Sequence, residues 1–269
     1  MNLDGPKKSS HTFSERLLLF LSRKPGTAIL QTDVQKLTPD TALSMLRRVF
    51  PDFALRVAGK DVLDFGCGEG LQAVAIARSG ARYVVGIDTN EKTLGRARNL
   101  AHELRLENQM EFAVRLEDRF KSSFDVVVSQ NSMEHFSDPL SILEEMKSAL
   151  KSKGSILITF APPWFAPYGS HMHFFTKVPW VNILFSEKTV MNVRAHFRND
   201  GATRYEDVES GLNRMTLARF EGLIATIGMD TEELMYTCAK RLNFLGKVPF
   251  VRELFINEVS CILSKGQTS

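Results

Sequence analysis

Cysteine is scarce in this chain, neither sign of charge dominates, and no apolar run is long. The three cysteines, Cys67, Cys238 and Cys261, stand far apart with no metal-ligand spacing. That excludes a disulfide framework, and free thiols fit the reducing environment of the cytoplasm. No stretch of 18 apolar residues occurs, so no membrane-spanning helix is expected, while peripheral membrane contact stays open. The opening MNLDGPKKSSHTF has two lysines but no long apolar segment behind them, unlike a secretory leader. A net charge of +3, with Lys and Arg scattered, argues against nucleic acid as a partner. What remains is 43% hydrophobic and 24% charged residues, the balance of a globular protein with a sizeable core. Its 269 residues suffice for one large domain or two small ones, and a homodimer stays open.

The rest of the chain is organised around Asp61 to Gly70, DVLDFGCGEG. Val62, Leu63 and Phe65 form the short apolar run of a buried parallel strand. Gly66, Gly68 and Gly70 follow at every second position, and LQAVAIAR then begins a helical pattern. Strand, glycine turn and helix together point free backbone N–H groups and a positive helix end at a ligand.

Residues 1–11 are polar and expected to fray. Phe13 to Ser22 is apolar enough for a buried helix that Pro25 and Gly26 would end. Thr38 can cap a second helix with Pro39 in its first turn, running to Pro51. Residues 1–59 thus read as a helical extension, either packing over a sheet edge or forming a lid, ahead of a main domain at 60–269. There RYVVGID, MEFAVR, FDVVVSQ and SILITF are strands. KTLGRARNLAHELRL and LSILEEMKSALKS alternate with them as helices, and Lys153-Gly154 should stop the second. MTLARFEGLIATIG is a helix closed by Gly228, and MDTEELMYTCA and FINEVSCILS are closing strands. The alternation predicts an α/β fold, a Rossmann-like parallel sheet with helices on both faces. About fifty residues, Pro162 to Asn213, show no such alternation, and loops that long inside a domain are usually functional.

Two readings of the glycine turn compete. A dinucleotide turn wants a third glycine at position 71, where this chain has Leu71. Asp64 stands two residues before the first glycine, where it would repel a diphosphate but suit an ammonium group. Asp88 ends the next strand and can accept ribose hydroxyls. An amino acid joined to a nucleoside satisfies both acids; the plainer alternative is that Asp64 caps the turn and Asp88 merely ends a strand. Cys67, with no His or Lys beside it in sequence, reads as a space-filling residue of the turn.

VLDFGCGEG, GID and FDVVVSQNSMEHFSDP together resemble the class I S-adenosylmethionine-dependent methyltransferases, in the small-molecule branch of quinone and sugar methylases. The likeness runs from about Lys60 to Pro163 and resumes from about Met215 to Lys265. It implies a seven-stranded, mostly parallel sheet with the last strand antiparallel, and S-adenosyl-L-methionine as cofactor. Gly66, Cys67, Gly68 and Gly70 would line its methionine part, with Asp64 near the amino group and Asp88 on the ribose. Gln130 and Asn131 would touch the methionine end. Where the family often has an acid for adenine, this chain has Arg115, so Leu116 or Glu117 would serve instead.

Methyl transfer from a sulfonium needs alignment and, for a hydroxyl acceptor, a base. Candidates are His135 after the fourth strand, and His171 and His173 in the 162–213 insertion. H-x-H on a strand would put both rings on one face, yet no further compact ligand set supports a metal. Glu134, Trp164, Tyr168 and Phe174 are the candidate walls for a small-molecule acceptor, unless these aromatics simply close the core beneath the loop. The expected activity is O-methylation with histidine-assisted deprotonation. Alternatives are C-methylation of a quinone-like ring, a nicotinamide-dependent reductase, or a cofactor-binding module without catalysis.

Overall fold

A computed structural model describes residues 11–23, 38–208, 211–238, 244–249 and 251–266. The fraying expected of the first ten residues and the Pro25-Gly26 helix stop lie outside the described residues. Seven strands form one sheet: β1 (Asp61–Phe65), β2 (Tyr83–Ile87), β3 (Met110–Ala113), β4 (Phe124–Gln130), β5 (Leu150–Phe160), β6 (Asp230–Cys238) and β7 (Ile256–Ser264). Their order is β3-β2-β1-β4-β5-β7-β6. The first five are parallel neighbours, and β7 runs antiparallel between β5 and β6. The central strands are apolar on both faces because helices cover both.

Alternate residues along each strand feed two cores. Val62, Val126 and Leu157 meet α2 (Pro39–Val49), α3 (Phe53–Val57), α4 (Leu71–Arg78) and α5 (Glu91–Glu103) on one side. Leu63, Val127 and Ile156 meet α6 (Pro139–Ala149) and α9 (Leu217–Thr226) on the other. Side chains cap several of these helices, beginning with the Thr38-Pro39 start expected from the sequence. Thr38 caps α2 ahead of Pro39, Asp138 caps α6 ahead of Pro139, and Thr216 caps α9.

The insertion builds a third core of its own. Short helices α7 (Val181–Leu184) and α8 (Glu187–Arg194) lie in the stretch expected to show no strand–helix alternation, and among its described residues no strand occurs. Phe175, Val190, Met191, Val193 and Tyr205 bury against Leu18 of α1 (Phe13–Leu21). Ser22 bridges Thr176, and the Arg23 amide donates to Phe175 O at 2.8 Å, fixing the end of α1 to the insertion. The N-terminal extension is therefore divided: α1 joins the insertion, while α2 and α3 join the sheet. Among the described residues no helix is long and apolar enough to cross a membrane. The short α10 (Arg252–Phe255) precedes β7.

Two local expectations are corrected. Gly154 does not stop a helix: α6 ends at Ala149, and residues 150–154 already belong to β5, with Leu150 paired to Phe124. A Cβ at Gly154 would come within 2.7 Å of the Leu150 side chain, so glycine keeps the strand close there. The H-x-H segment is not a strand either. His171 sits at φ 57°, and Met172–Phe174 make a 3-10 turn closed by Phe175 N to Met172 O at 3.2 Å. Period-two alternation does not apply to a tight turn, so the two rings part company.

Candidate active site

The C-terminal edge of β1, β2 and β4 carries the site, where ligands of open parallel sheets bind. The Gly66 and Cys67 amides both donate to Ile87 O, at 2.8 and 2.9 Å, which folds the glycine turn over the end of β2. Gly66 has φ +86°, and a Cβ there would lie 2.9 Å from Ser132 Cβ. Gly70 has φ +78° and closes on Ala97, whose Cβ would be 2.8 Å from an added one. Only glycine meets both demands, positive φ and close approach.

Asp64 is fully buried under this turn. Gln72 on the first turn of α4 donates its Nε2–H to Oδ1 at 2.6 Å, and Oδ2 has no partner among the described residues. Burial pushes this carboxyl up to about 7; the Gln72 hydrogen bond opposes the rise and the nearby Asp88 charge adds to it. A buried acceptor left unmatched is costly, so this oxygen is set for a donor, preferably a cationic one. Asp88 ties the turn together: Oδ2 accepts from Gly68 N at 2.9 Å, and Oδ1 from Asn90 N at 2.9 Å and Thr93 Oγ1 at 3.5 Å. A carboxylate has roughly four lone-pair sites, so capacity remains for a hydroxyl. Burial pushes the Cys67 thiol up, consistent with a packing role.

Two clefts meet at the turn. One of about 490 Å³ is lined by Gly66, Gly68, Asp88, Asn131, Ser132 and His135, among others. The other, about 590 Å³, shares Gly66, Gly68 and Asn131 and adds Gln130, Cys67 and Gln72. Thr38, Ala42 and Met45 of α2 form its far wall, a contribution from the extension that no motif announced. Thr89, Asn90 and Ile142 also line the first cleft and were missed for the same reason. Leu116 packs against the core, and Glu117 pairs with Arg119 at 2.8 Å, so neither lines these clefts. Arg115 is exposed.

His135 stands at the border of the larger arrangement. Its Nδ1 lies 2.7 Å from Gly211 O, and a carbonyl can only accept, so Nδ1 carries the proton. In the neutral ring Nε2 is then the free base. Asn213 holds the loop beneath it: its Nδ2 donates to Met133 O and Phe136 O, both at 2.7 Å, and its amide to Glu134 O at 2.9 Å. The Glu134 carboxyl is buried and neither oxygen has a hydrogen-bond partner among the described residues. Burial pushes it up to about 7, against a smaller downward pull from its own backbone and that of Ala161.

The His171 ring stands edge-on to His135, centroids 5.5 Å apart. Burial, with the charges of His135 and His173 adding to it, pushes His171 down to about 4, so it is neutral at pH 7. His173 is exposed instead, turned towards the charges of Arg23 and Arg198. Trp164 packs edge-on to Tyr205 at 4.9 Å, and Phe174 edge-on to Phe175 at 5.1 Å, both in the insertion's core. Tyr168 is exposed and reaches Lys177 O at 3.4 Å. Among the described residues no cluster of three or more His, Cys, Asp or Glu is placed to share a metal.

Residues 56–165 match a family model described as a methyltransferase domain. A ubiquinone biosynthesis O-methyltransferase of Neisseria meningitidis is 36% identical over 121 residues, 44% of this chain and 50% of that protein. The namesake from Idiomarina loihiensis is 39% identical over 105 residues, 38% of this chain and 42% of its own. The chain thus spans about half the length of the curated relatives it matches. A methyltransferase of Mesorhizobium loti, described as S-adenosylmethionine dependent, superimposes with TM-score 0.54 at 16% identity, covering 84% of this chain and 99% of that one. Magnesium protoporphyrin IX methyltransferase from Synechocystis, solved with bound SAH, gives TM-score 0.53 at 18% identity over 88% of each chain. The strand order and the turn geometry agree with the family match: residues 56–165, which hold β1 to β5, match a methyltransferase domain, and β6 and β7 of the same sheet lie beyond that match.

Proposed function

We propose that the protein is an S-adenosylmethionine-dependent methyltransferase that methylates a hydroxyl oxygen of a small-molecule acceptor, with His135 as general base. The observation that carries this reading is the His135 ring, whose Nδ1–H is held by Gly211 O while the same side chain lines the cleft of Gly66 and Asp88. That tautomer leaves Nε2 to take a proton.

The residues present fit the cofactor on their own chemistry. The orphaned Asp64 Oδ2 suits an ammonium group, the open space over Gly68, where a Cβ would meet nothing within 4 Å, suits an extended aminoacyl chain, and Asp88 keeps capacity for a ribose hydroxyl. When bound there, S-adenosylmethionine supplies a methyl on an already charged leaving group. The chain's own work is to align a hydroxyl and remove its proton. Alignment can supply up to about 7–11 kcal/mol in favourable systems, and a positioned base adds about 10²–10⁴-fold. His171, neutral against the His135 ring, supports that ring by packing and adds no charge. The relatives' name, ubiquinone biosynthesis O-methyltransferase, favours oxygen over ring carbon as the atom methylated. β7 lying antiparallel between β5 and β6 departs from the 3-2-1-4-5-6 order of dinucleotide folds, which counts against the nicotinamide alternative.

Calorimetry with S-adenosylhomocysteine tests the cofactor half, with binding expected in the wild type and lost in Asp88→Ala. Mass spectrometry of catechol-type acceptors incubated with S-adenosylmethionine tests the chemistry. Methyl ethers that form equally fast in His135→Ala would remove the base from this account.

A further inference from the structure

Behind His135 lies a third cleft, of about 350 Å³, whose lining includes His135, Glu206, Gly211, Asn213, Arg214 and Arg219. Its volume suits one substituted ring rather than a cofactor. Among the described residues His135 is the one side chain that lines both this cleft and the cofactor cleft. A base shared by two cavities is where an acceptor entering from one side would meet a methyl held on the other.

The charges in this cleft are not equivalent. Arg214 Nη2 is taken by both oxygens of Glu187, at 2.8 and 3.0 Å, and Glu206 is paired with Arg204. Arg219 has no carboxylate within ion-pair distance among the described residues; its Nη1 donates to Asn213 O. A guanidinium offers five N–H donors in a planar fork, so most of its capacity is open. Asn213 is also the residue that holds the loop of His135, through Met133 O and Phe136 O. One residue thus fixes the open guanidinium and the candidate base in a single frame, a rigid two-point template for a small acceptor.

Resting on the O-methylation reading above, we propose that the acceptor carries an anionic oxygen group, carboxylate or phosphate, gripped by Arg219 while its hydroxyl lies against His135. A planar fork pairs with such a group through two parallel hydrogen bonds, which gives direction as well as attraction. Arg214, neutralised by Glu187, shapes the wall and adds little net charge.

Binding distinguishes the two ideas. Titrations with S-adenosylhomocysteine present would use 3,4-dihydroxybenzoate, 3,4-dihydroxyphenyl phosphate and the neutral methyl ester of the first. The expected result is at least tenfold tighter binding of one anion than of the ester in the wild type. Arg219→Gln should erase that preference, and Arg219→Lys should restore part of it by keeping charge without the fork. Whichever anion binds more tightly identifies the source of the group. Equal binding of acid, phosphate and ester by the wild type would overturn the proposal. So would an Arg219→Gln protein that weakens all three alike, since that would mark Arg219 as support for the loop. If the anion binds tightly through Arg219 but is never methylated, the O-methylation reading fails and the anion site stands.

Discussion

The glycine turn and the insertion are the two regions that meet at His135, and they are built on opposite plans. The turn is local: ten residues from Asp61 to Gly70 supply strand, bend, buried acid and helix start, and the next strand's Asp88 locks them through Gly68 N at 2.9 Å. The insertion is assembled from afar: Leu18 of α1 packs with Phe175, Val190 and Tyr205. Arg194, 2% exposed, is anchored on Asp200 with Nη1 to Oδ1 at 2.7 Å. In the turn the glycines at 66 and 70 let Ser132 and Ala97 pack close, and Gly68 leaves open space beside Asp88. In the insertion the buried large side chains pack on one another and on Leu18 of α1. Chemistry crosses between them at few points, chiefly Gly211 O on His135 Nδ1 and the His171 ring on the His135 ring.

One pair of substitutions breaks the comparison if it is wrong, and it carries the largest expected effect. Gly66 and Gly201 both sit at positive φ, +86° and +74°, but a Cβ at Gly66 meets Ser132 whereas one at Gly201 meets nothing within 4 Å. Gly66→Ala should abolish S-adenosylhomocysteine binding by calorimetry. Gly201→Ala should cost only about 1–2 kcal/mol of left-handed strain and leave the affinity intact. Equal losses in the two proteins would mean that backbone strain, not occupied space, decides binding at the turn. Next in size is His135→Ala. Turnover should fall about 10²–10⁴-fold while the cofactor still binds, and exposed His173→Ala should change neither.

A third substitution sharpens the contrast from the insertion side. Phe175 is fully buried, stacked on Phe197 at 5.1 Å and edge-on to Phe174 at 5.1 Å. Phe175→Ala should cost about 3–5 kcal/mol in that core. Hydrogen exchange should show the loss in α8 and around Phe175, with β1 and the glycine turn still protected. Loss of protection in the turn as well would mean that the two regions share one cooperative unit.

The sequence made the turn readable because its requirements are local. Positive φ, close approach and a carboxylate beside them leave few residue choices, so Gly66, Gly68, Asp64 and Asp88 stood out. The sheet was readable for a similar reason, since short apolar strands alternate with amphipathic helices. The far side of the first cleft was not, because Thr89 and Asn90 look like ordinary loop residues until the fold sets them in one cleft with Asn131 and His135. The wall formed by Met45 was hidden too, being supplied by a helix some twenty residues before the turn it covers. Least readable was the aromatic run after Pro163. Trp164 and Phe174 point into a core whose other members lie on α1 and α8, and no local pattern distinguishes a pocket wall from a buried anchor.

The smallest effect expected is the pH dependence of stability, which the two regions should drive in opposite directions. Asp64 is raised from 3.8 to about 7, so the folded protein binds a proton there that the unfolded chain has released. Its contribution is fully present below about pH 4 and is lost as pH rises through about 7. His171 is lowered from 6.5 to about 4, so between those values the unfolded chain holds more protons. Its contribution is therefore present above about pH 6.5 and is lost as pH falls towards 4. Melting temperature against pH in the ligand-free protein should accordingly decline on the alkaline side through Asp64 and on the acid side through His171. Asp64→Asn should flatten the alkaline decline and raise stability at pH 8 by about 1–3 kcal/mol, the range for relieving an unmatched buried group. The same substitution should weaken S-adenosylhomocysteine binding if, as proposed, the side chain that destabilises the ligand-free turn is the one that receives the ammonium group. An Asp64→Asn protein with an unaltered alkaline limb would show that another buried acid sets that limb, and Glu134, also raised to about 7 by burial, is the candidate.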